Sequence, residues 1–229
     1  MSVEAVEKKG ITRPENLPEF IEFDRRERLS LDRRSSIGDD LIDRHGLTGE
    51  EVEVVVRYLE TFSLSLESLV GKKIIDMGSG LGNFKKGLNK LGKNFDVVSF
   101  DRGMAWEGTM DVKGDALKMP FQDESFDLEL AYGSTPLMYA TRNEFRSIPS
   151  VIKEMLRIVR KGGVVKIFPV AIDNPGFPEG QGRYSKMASQ ILGVMDEIHK
   201  QNPDFKIKIT EIKDGPAVRQ LLEIFKPLN

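Results

Sequence analysis

The sequence predicts an α/β fold built on a mostly parallel, doubly wound sheet, and three observations predict it. Lys73 to Met77 is a short apolar run closing on Asp76, followed by glycines at 78, 80 and 82 and then a helix-like segment. Phe95 to Phe100 is a second apolar run that also ends in an acid, Asp101. Phe126 to Tyr132 and Val164 to Pro169 are two further strand-length runs, separated by a stretch of helical periodicity. Strands alternating with helices imply strand–helix–strand units, in which helices cover both faces of a parallel sheet.

The chain has 229 residues, enough for one domain of ordinary size with an extension. Hydrophobic residues are 39% and charged residues 31%, the balance of a soluble globular protein. A formal net charge of −2 gives no global electrostatic case for nucleic-acid binding. There is no cysteine, which excludes a disulfide framework, a zinc–thiolate site and a cysteine nucleophile, and no metal site is expected. No stretch approaches the ~20 apolar residues of a membrane span. The amino terminus, with Glu4, Glu7, Lys8 and Lys9, lacks a signal-peptide core, so a cytoplasmic protein is expected.

Residues 1–47 read as a polar extension with a short apolar patch at Phe20, Ile21 and Phe23, then a locally basic run from Arg25 to Arg34. That run is either a lid or clamp for an anionic substrate, or a solvated helix face. Residues 48–229 read as the main domain. Thr48-Gly49-Glu50-Glu51 has capping-box spacing, and Val52, Val55, Val56, Leu59 and Phe62 follow on one side of a helix. After the glycine turn, Phe84 to Leu91 is a second helix stopped by Gly92. Little room lies between Asp101 and Gly114, enough for a short strand near Met110 to Val112. Thr141-Arg142-Asn143-Glu144 again has capping-box spacing, with Ile148 to Val159 forming the helix beyond and Pro149 a kink or restart. Tyr184, Met187, Ile191, Leu192, Met195 and Ile198 form a helical stripe that reads as core. Phe205 to Ile212 and Val218 to Phe225 alternate as two strands about Asp214-Gly215-Pro216.

Glycine permits positive φ and close approach of a bound group to the backbone, and a helix amino terminus beyond it adds N–H donors. The turn therefore points to a nucleotide-like cofactor. It is not the dinucleotide fingerprint G-x-G-x-x-G, because Asn83 stands where the last glycine would be. The order Asp76-x-Gly78-x-Gly80-x-Gly82 resembles the first motif of class I S-adenosylmethionine-dependent methyltransferases. Gly114-Asp115-Ala116, followed by Leu117-x-x-Pro120-Phe121, resembles that family's adenine-binding segment, and Arg160-Lys161-Gly162-Gly163 its turn before the fifth strand.

The resemblance covers roughly residues 70 to 227. It implies a seven-stranded, mostly parallel sheet with an antiparallel last strand, and S-adenosylmethionine as cofactor. The implied cofactor-binding residues are Asp76, Gly78, Ser79, Gly80, Gly82, Asp101, Arg102, Asp115, Ala116 and Tyr132. Asp101 would accept both ribose hydroxyls, Asp115 the adenine amino group, and Ala116 N–H would meet a ring nitrogen. Trp106, the only tryptophan, is expected near the adenosine. The implied reaction is direct displacement of the sulfonium methyl by an unidentified acceptor, a small molecule first, with nucleic acid or protein left open. Candidate catalytic side chains are Tyr132, Asp173 and His45. Two alternatives remain at this stage: a nicotinamide-dependent oxidoreductase on a similar sheet, and a catalytically silent relative serving as a partner subunit.

Overall fold

A computed structural model describes residues 17–28, 38–43, 45–92, 94–103, 110–173 and 178–228. Eight strands form one sheet in the order β1-β7-β8-β6-β5-β2-β3-β4. They are β1 (Ile21–Glu27), β2 (Lys73–Met77), β3 (Asp96–Asp101), β4 (Val112–Lys113), β5 (Phe126–Tyr132), β6 (Val159–Asp173), β7 (Lys206–Asp214) and β8 (Ala217–Phe225). All neighbouring pairs are parallel except those made by β8, which runs antiparallel to both β6 and β7. The expected seven strands and antiparallel last strand are present. The eighth, β1, comes from the segment read as a polar extension and pairs in parallel with β7 along its whole length. Ile21 is fully buried there, whereas the alternating charges of Glu22 to Glu27 reflect an edge strand.

The helices are α1 (Gly49–Thr61), α2 (Leu66–Leu69), α3 (Asn83–Lys90), α4 (Leu137–Thr141), α5 (Ile148–Ile158) and α6 (Pro178–Gln201), with residues 38–43 also helical. Alternation along the strands divides the core. Ile75, Met77, Ala131, Val165 and Ile167 face α5 and α6 through Val151, Ile152, Met155, Met187, Ile191 and Met195. Ile74, Leu128 and Leu130 face α1 and α3 through Val55, Phe62, Phe84 and Leu88. The α1 capping box forms as the spacing predicts: Thr48 Oγ1 accepts from Glu51 N–H and Glu51 reaches back to Thr48 N–H.

Two local expectations are corrected. The Thr141 spacing starts no helix; Thr141 ends α4, a 3₁₀ turn spans Phe145–Ser147, and α5 begins at Ile148 with Pro149 in its first turn. Proline is accommodated there because its missing N–H would have no intrahelical partner. The Arg160–Gly163 turn is instead part of β6, which runs from Val159, with Gly162 at φ 73 absorbing the bend.

Asp111 stands at the sheet edge: its N–H donates to Ser99 O at 2.9 Å, its Oδ2 accepts Ser99 N–H at 2.6 Å, and β4 is only two residues long. A short strand near Met110 to Val112 is what the sequence leads one to expect. No helix among the described residues is long and apolar enough to cross a membrane.

Candidate active site

Two cavities open at the carboxyl edge of the sheet, on either side of the step from Tyr132 to Gly133. The first, of about 360 Å³, is lined by Gly78 and Gly80, by Asp101 and Arg102 after β3, by Gly114 to Ala116, and by Gly133 to Thr135. Its remaining wall is Met138, Tyr139 and Arg142, on and just after α4. In open α/β sheets ligands bind at this edge.

The glycine turn is tied to β3, since Gly78 N–H and Ser79 N–H both donate to Phe100 O, at 2.8 and 3.1 Å. Gly78 has φ 68, and a Cβ on it would lie 2.3 Å from Ser134 Cβ. Gly80 also has positive φ, but a Cβ there would meet no protein atom within 4 Å; it faces open space. One glycine thus lets two loops pack, and the other exposes backbone to the cavity.

Asp101 Oδ2 accepts from Gly80 N–H and its Oδ1 from Gly103 N–H, each at 3.0 Å. A carboxylate offers about four acceptor sites, so this acid is oriented and still able to accept two hydroxyls. Asp115 Oδ1 accepts from Leu117 N–H at 3.0 Å and Tyr139 Oη–H at 2.9 Å. The Leu117 bond above all, opposed by burial and aided by Tyr139, Arg102 and Arg142, holds Asp115 below the usual carboxylate range.

Behind the turn lies Asp76, only 1% exposed. Tyr58 Oη of α1 donates to its Oδ1 at 2.8 Å. Asp76 Oδ2, Ser79 Oγ and Ser99 Oγ are buried without a partner among the described residues. Asp76 and Ser99 are register partners on β2 and β3, so they share a face. Burial pushes the Asp76 carboxyl up to about 7, against the Tyr58 bond and with the Asp101 charge adding to the rise.

The second cavity, of about 580 Å³, has an apolar wall of Ile42, Val52, Val56, Phe168 and Pro169, with Tyr132 at the side nearest Gly133. Its rim is charged. Arg28 and Arg219 both donate to Asp214 Oδ2 at 2.6 Å, while Arg57 lies over the Tyr132 ring at 5.8 Å from its centroid. Burial raises the Asp214 carboxyl, but the two arginine bonds outweigh it and hold this acid low.

Of the residues singled out in the sequence, Gly78, Gly80, Asp101, Arg102, Asp115 and Ala116 line the first cavity together. Gly82 caps α3 at φ 68, and Asp76 and Ser79 sit behind the wall. Tyr132, expected at the cofactor, lines the second cavity and not the first. His45 is exposed and lines neither cavity. Asp173 closes β6 opposite Val218, and its side chain, like Trp106, residues 29–34 and 174–177, lies outside the described residues. Tyr58, Met138, Tyr139 and Arg142 were not singled out. The return of α4 over the cavity had no local signal in the sequence.

A mostly parallel sheet, a glycine turn and two edge acids thus surround one cavity, with a second cavity beside it. Residues 75–167 match the methyltransferase domain family. Demethylmenaquinone methyltransferase of Streptomyces avermitilis is 22% identical over 209 residues, covering 86% of this chain and 87% of the relative. Its namesake in Paenarthrobacter aurescens is 22% identical over 196 residues, with coverages of 80% and 74%. For the fold, a chain from the complex of a Haloferax volcanii methyltransferase activator and its partner superposes with TM-score 0.50 at 13% identity, over 82% of this chain and 96% of that one.

The chain carries that family match from β2 into β6, around the first cavity. It is a methyltransferase, and its cofactor is S-adenosylmethionine. The residues present fit that cofactor, since open backbone at Gly80 and a buried, half-partnered acid at Asp76 suit an amino-acid end carrying an ammonium group. Among the described residues no group of three or more His, Asp or Glu could hold a metal ion.

Proposed function

We propose that the chain methylates a small-molecule acceptor, bound in the cavity beside Tyr132, by direct displacement. The observation that carries this reading is the placement of two cavities on either side of Tyr132–Gly133, at the edge where this fold binds its ligands. The cofactor supplies a methyl already activated by positive sulfur. The protein's part is alignment and exclusion of water, and alignment alone can contribute ~7–11 kcal/mol. A cavity of 580 Å³ with an apolar wall suits a compact organic acceptor. The name of the two relatives, whose acceptor is demethylmenaquinone, supports a small molecule of that kind.

In this reading Asp101 accepts the ribose hydroxyls, Asp115 the adenine amino group, and Ala116 N–H a ring nitrogen. Gly78 to Gly82 pack along the amino-acid end, where Asp76 faces the ammonium. Arg102 closes the adenosine side. Tyr132 and Arg57 shape the acceptor wall. Asp214 is a poor proton acceptor because Arg28 and Arg219 hold it ionised. A nucleophile that attacks unprotonated needs no base.

Asp101→Ala should weaken S-adenosylmethionine at least tenfold by calorimetry, because two charge-assisted bonds are lost, each worth roughly 1.5–3 kcal/mol. Unchanged affinity would remove Asp101 from the site. The functional test is formation of S-adenosylhomocysteine with demethylmenaquinol-type quinols as acceptors. Tyr132→Ala should lower turnover while leaving cofactor affinity within about twofold, a small free-energy change on the scale of tenfold per 1.4 kcal/mol. Equal loss of cofactor affinity in that variant would contradict separate sites.

A further inference from the structure

Tyr58 touches each part of the centre. Its hydroxyl donates to Asp76 Oδ1 at 2.8 Å within the protein interior. Its ring stacks on Phe84, in the first turn of α3 after the glycine turn, at 4.3 Å between centroids. The same ring stacks on Tyr132 of the acceptor wall at 5.3 Å and meets Phe62 edge-on. The residue stands on α1, whose Val52, Val56 and Arg57 line the acceptor cavity. A buried hydroxyl bonded to a buried acid, with ring contacts to the helix that follows the glycine turn and to the acceptor wall, is more than the packing of a core helix requires.

We propose that Tyr58 is a positioning residue: its hydroxyl fixes the Asp76 carboxyl for the cofactor's ammonium group, and its ring ties that acid to Tyr132. The inference rests on the proposed cofactor role of Asp76. The groups that act on this acid are Tyr58 from α1 and the Asp101 carboxylate from β3; Tyr58 in turn is influenced by Arg57 and Tyr132. Ser99, its register partner on β3, contributes a buried neutral hydroxyl. The Tyr58 bond favours the ionised acid, the form that attracts an ammonium group, so its loss moves ionisation to higher pH.

The test compares S-adenosylmethionine affinity of the whole chain and Tyr58→Phe, which keeps the ring, between pH 6 and pH 8.5. If removing the bond moves ionisation by about one pH unit, the variant should bind about five- to tenfold more weakly at pH 6–7 and less than about twofold more weakly at pH 8.5. Titration of the ligand's own amino group cancels in that ratio. A merely structural role would give the same ratio at every pH, and that result, or no difference at all, overturns the inference. Tyr58→Leu, which also removes the ring, should add a loss that persists at pH 8.5. Failure of the unaltered chain to bind the cofactor would instead overturn the cofactor site itself.

Discussion

Glu129→Met should stabilise the protein by about 2–4 kcal/mol, the largest single gain expected from one substitution, because a buried acid without partners is replaced by an apolar chain of similar length. Glu129 lies in the middle of β5, fully buried, between Ile75 of β2 and Val165 of β6. Neither carboxyl oxygen has a partner among the described residues. Burial, with the like charge of Glu154 adding to it, pushes this carboxyl well above the usual range, so it is held as the neutral acid. Methionine conserves the volume and leaves no polar atom to desolvate.

The pH dependence follows from the sign of the shift. Glu129 and Asp76 both have raised pKa values in the folded chain, so between about pH 4 and their folded values the native state holds protons that the unfolded state releases. Stability therefore falls as pH rises, by about 1.4 kcal/mol per pH unit for each proton held, and the Asp76 part is complete above its value of about 7. Glu129→Gln should flatten that slope by one proton's worth while keeping much of the desolvation cost. Urea melts at pH 5, 6 and 7 measure both effects. A destabilised Glu129→Met protein would show that the acid has partners and contributes to the fold.

Gly78→Ala should weaken cofactor binding at least a hundredfold and cost roughly 2–5 kcal/mol of stability. A side chain at positive φ costs roughly 1–2 kcal/mol, and overpacking typically costs 1–3 more. The new methyl would stand 2.3 Å from Ser134 Cβ, so the glycine turn and the β5 loop cannot both keep their places. Both loops line the proposed cofactor cavity. Gly80→Ala provides the contrast, since it strains φ without meeting any protein atom and so reports on the approach of the ligand. Calorimetry and urea melts of the two variants separate the effects. Wild-type affinity in Gly78→Ala would mean that the cofactor does not depend on this turn.

The cofactor side was legible because its chemistry is local. Three glycines after a buried run, an acid at the next strand end and a Gly-Asp-Ala turn each combine a special backbone with a functional group within a few residues. The missed features depend on contacts distant in sequence. Tyr58 meets Asp76 across 18 residues, from a helix face that reads only as amphipathic. Tyr139 reaches Asp115 across 24, through a helix of five residues too short to show a period. Strand β1 was hidden because its alternation is mostly of charges, and only pairing with β7 reveals Ile21 as core. The place of Tyr132 on the second cavity was hidden because the direction of that last strand side chain is set by packing against Tyr58, Phe62 and Phe168.

The central claim is that the turn at Gly78–Gly82 and the acids Asp76, Asp101 and Asp115 form one S-adenosylmethionine site. Calorimetric titration of the whole chain with S-adenosylmethionine, in two buffers of different ionisation enthalpy at pH 7, tests it most directly. One site per chain is predicted, with net release of part of a proton as the ammonium group favours the ionised form of Asp76 over the protonated one. Absence of saturable binding, or binding unaffected by Asp101→Ala, would contradict it.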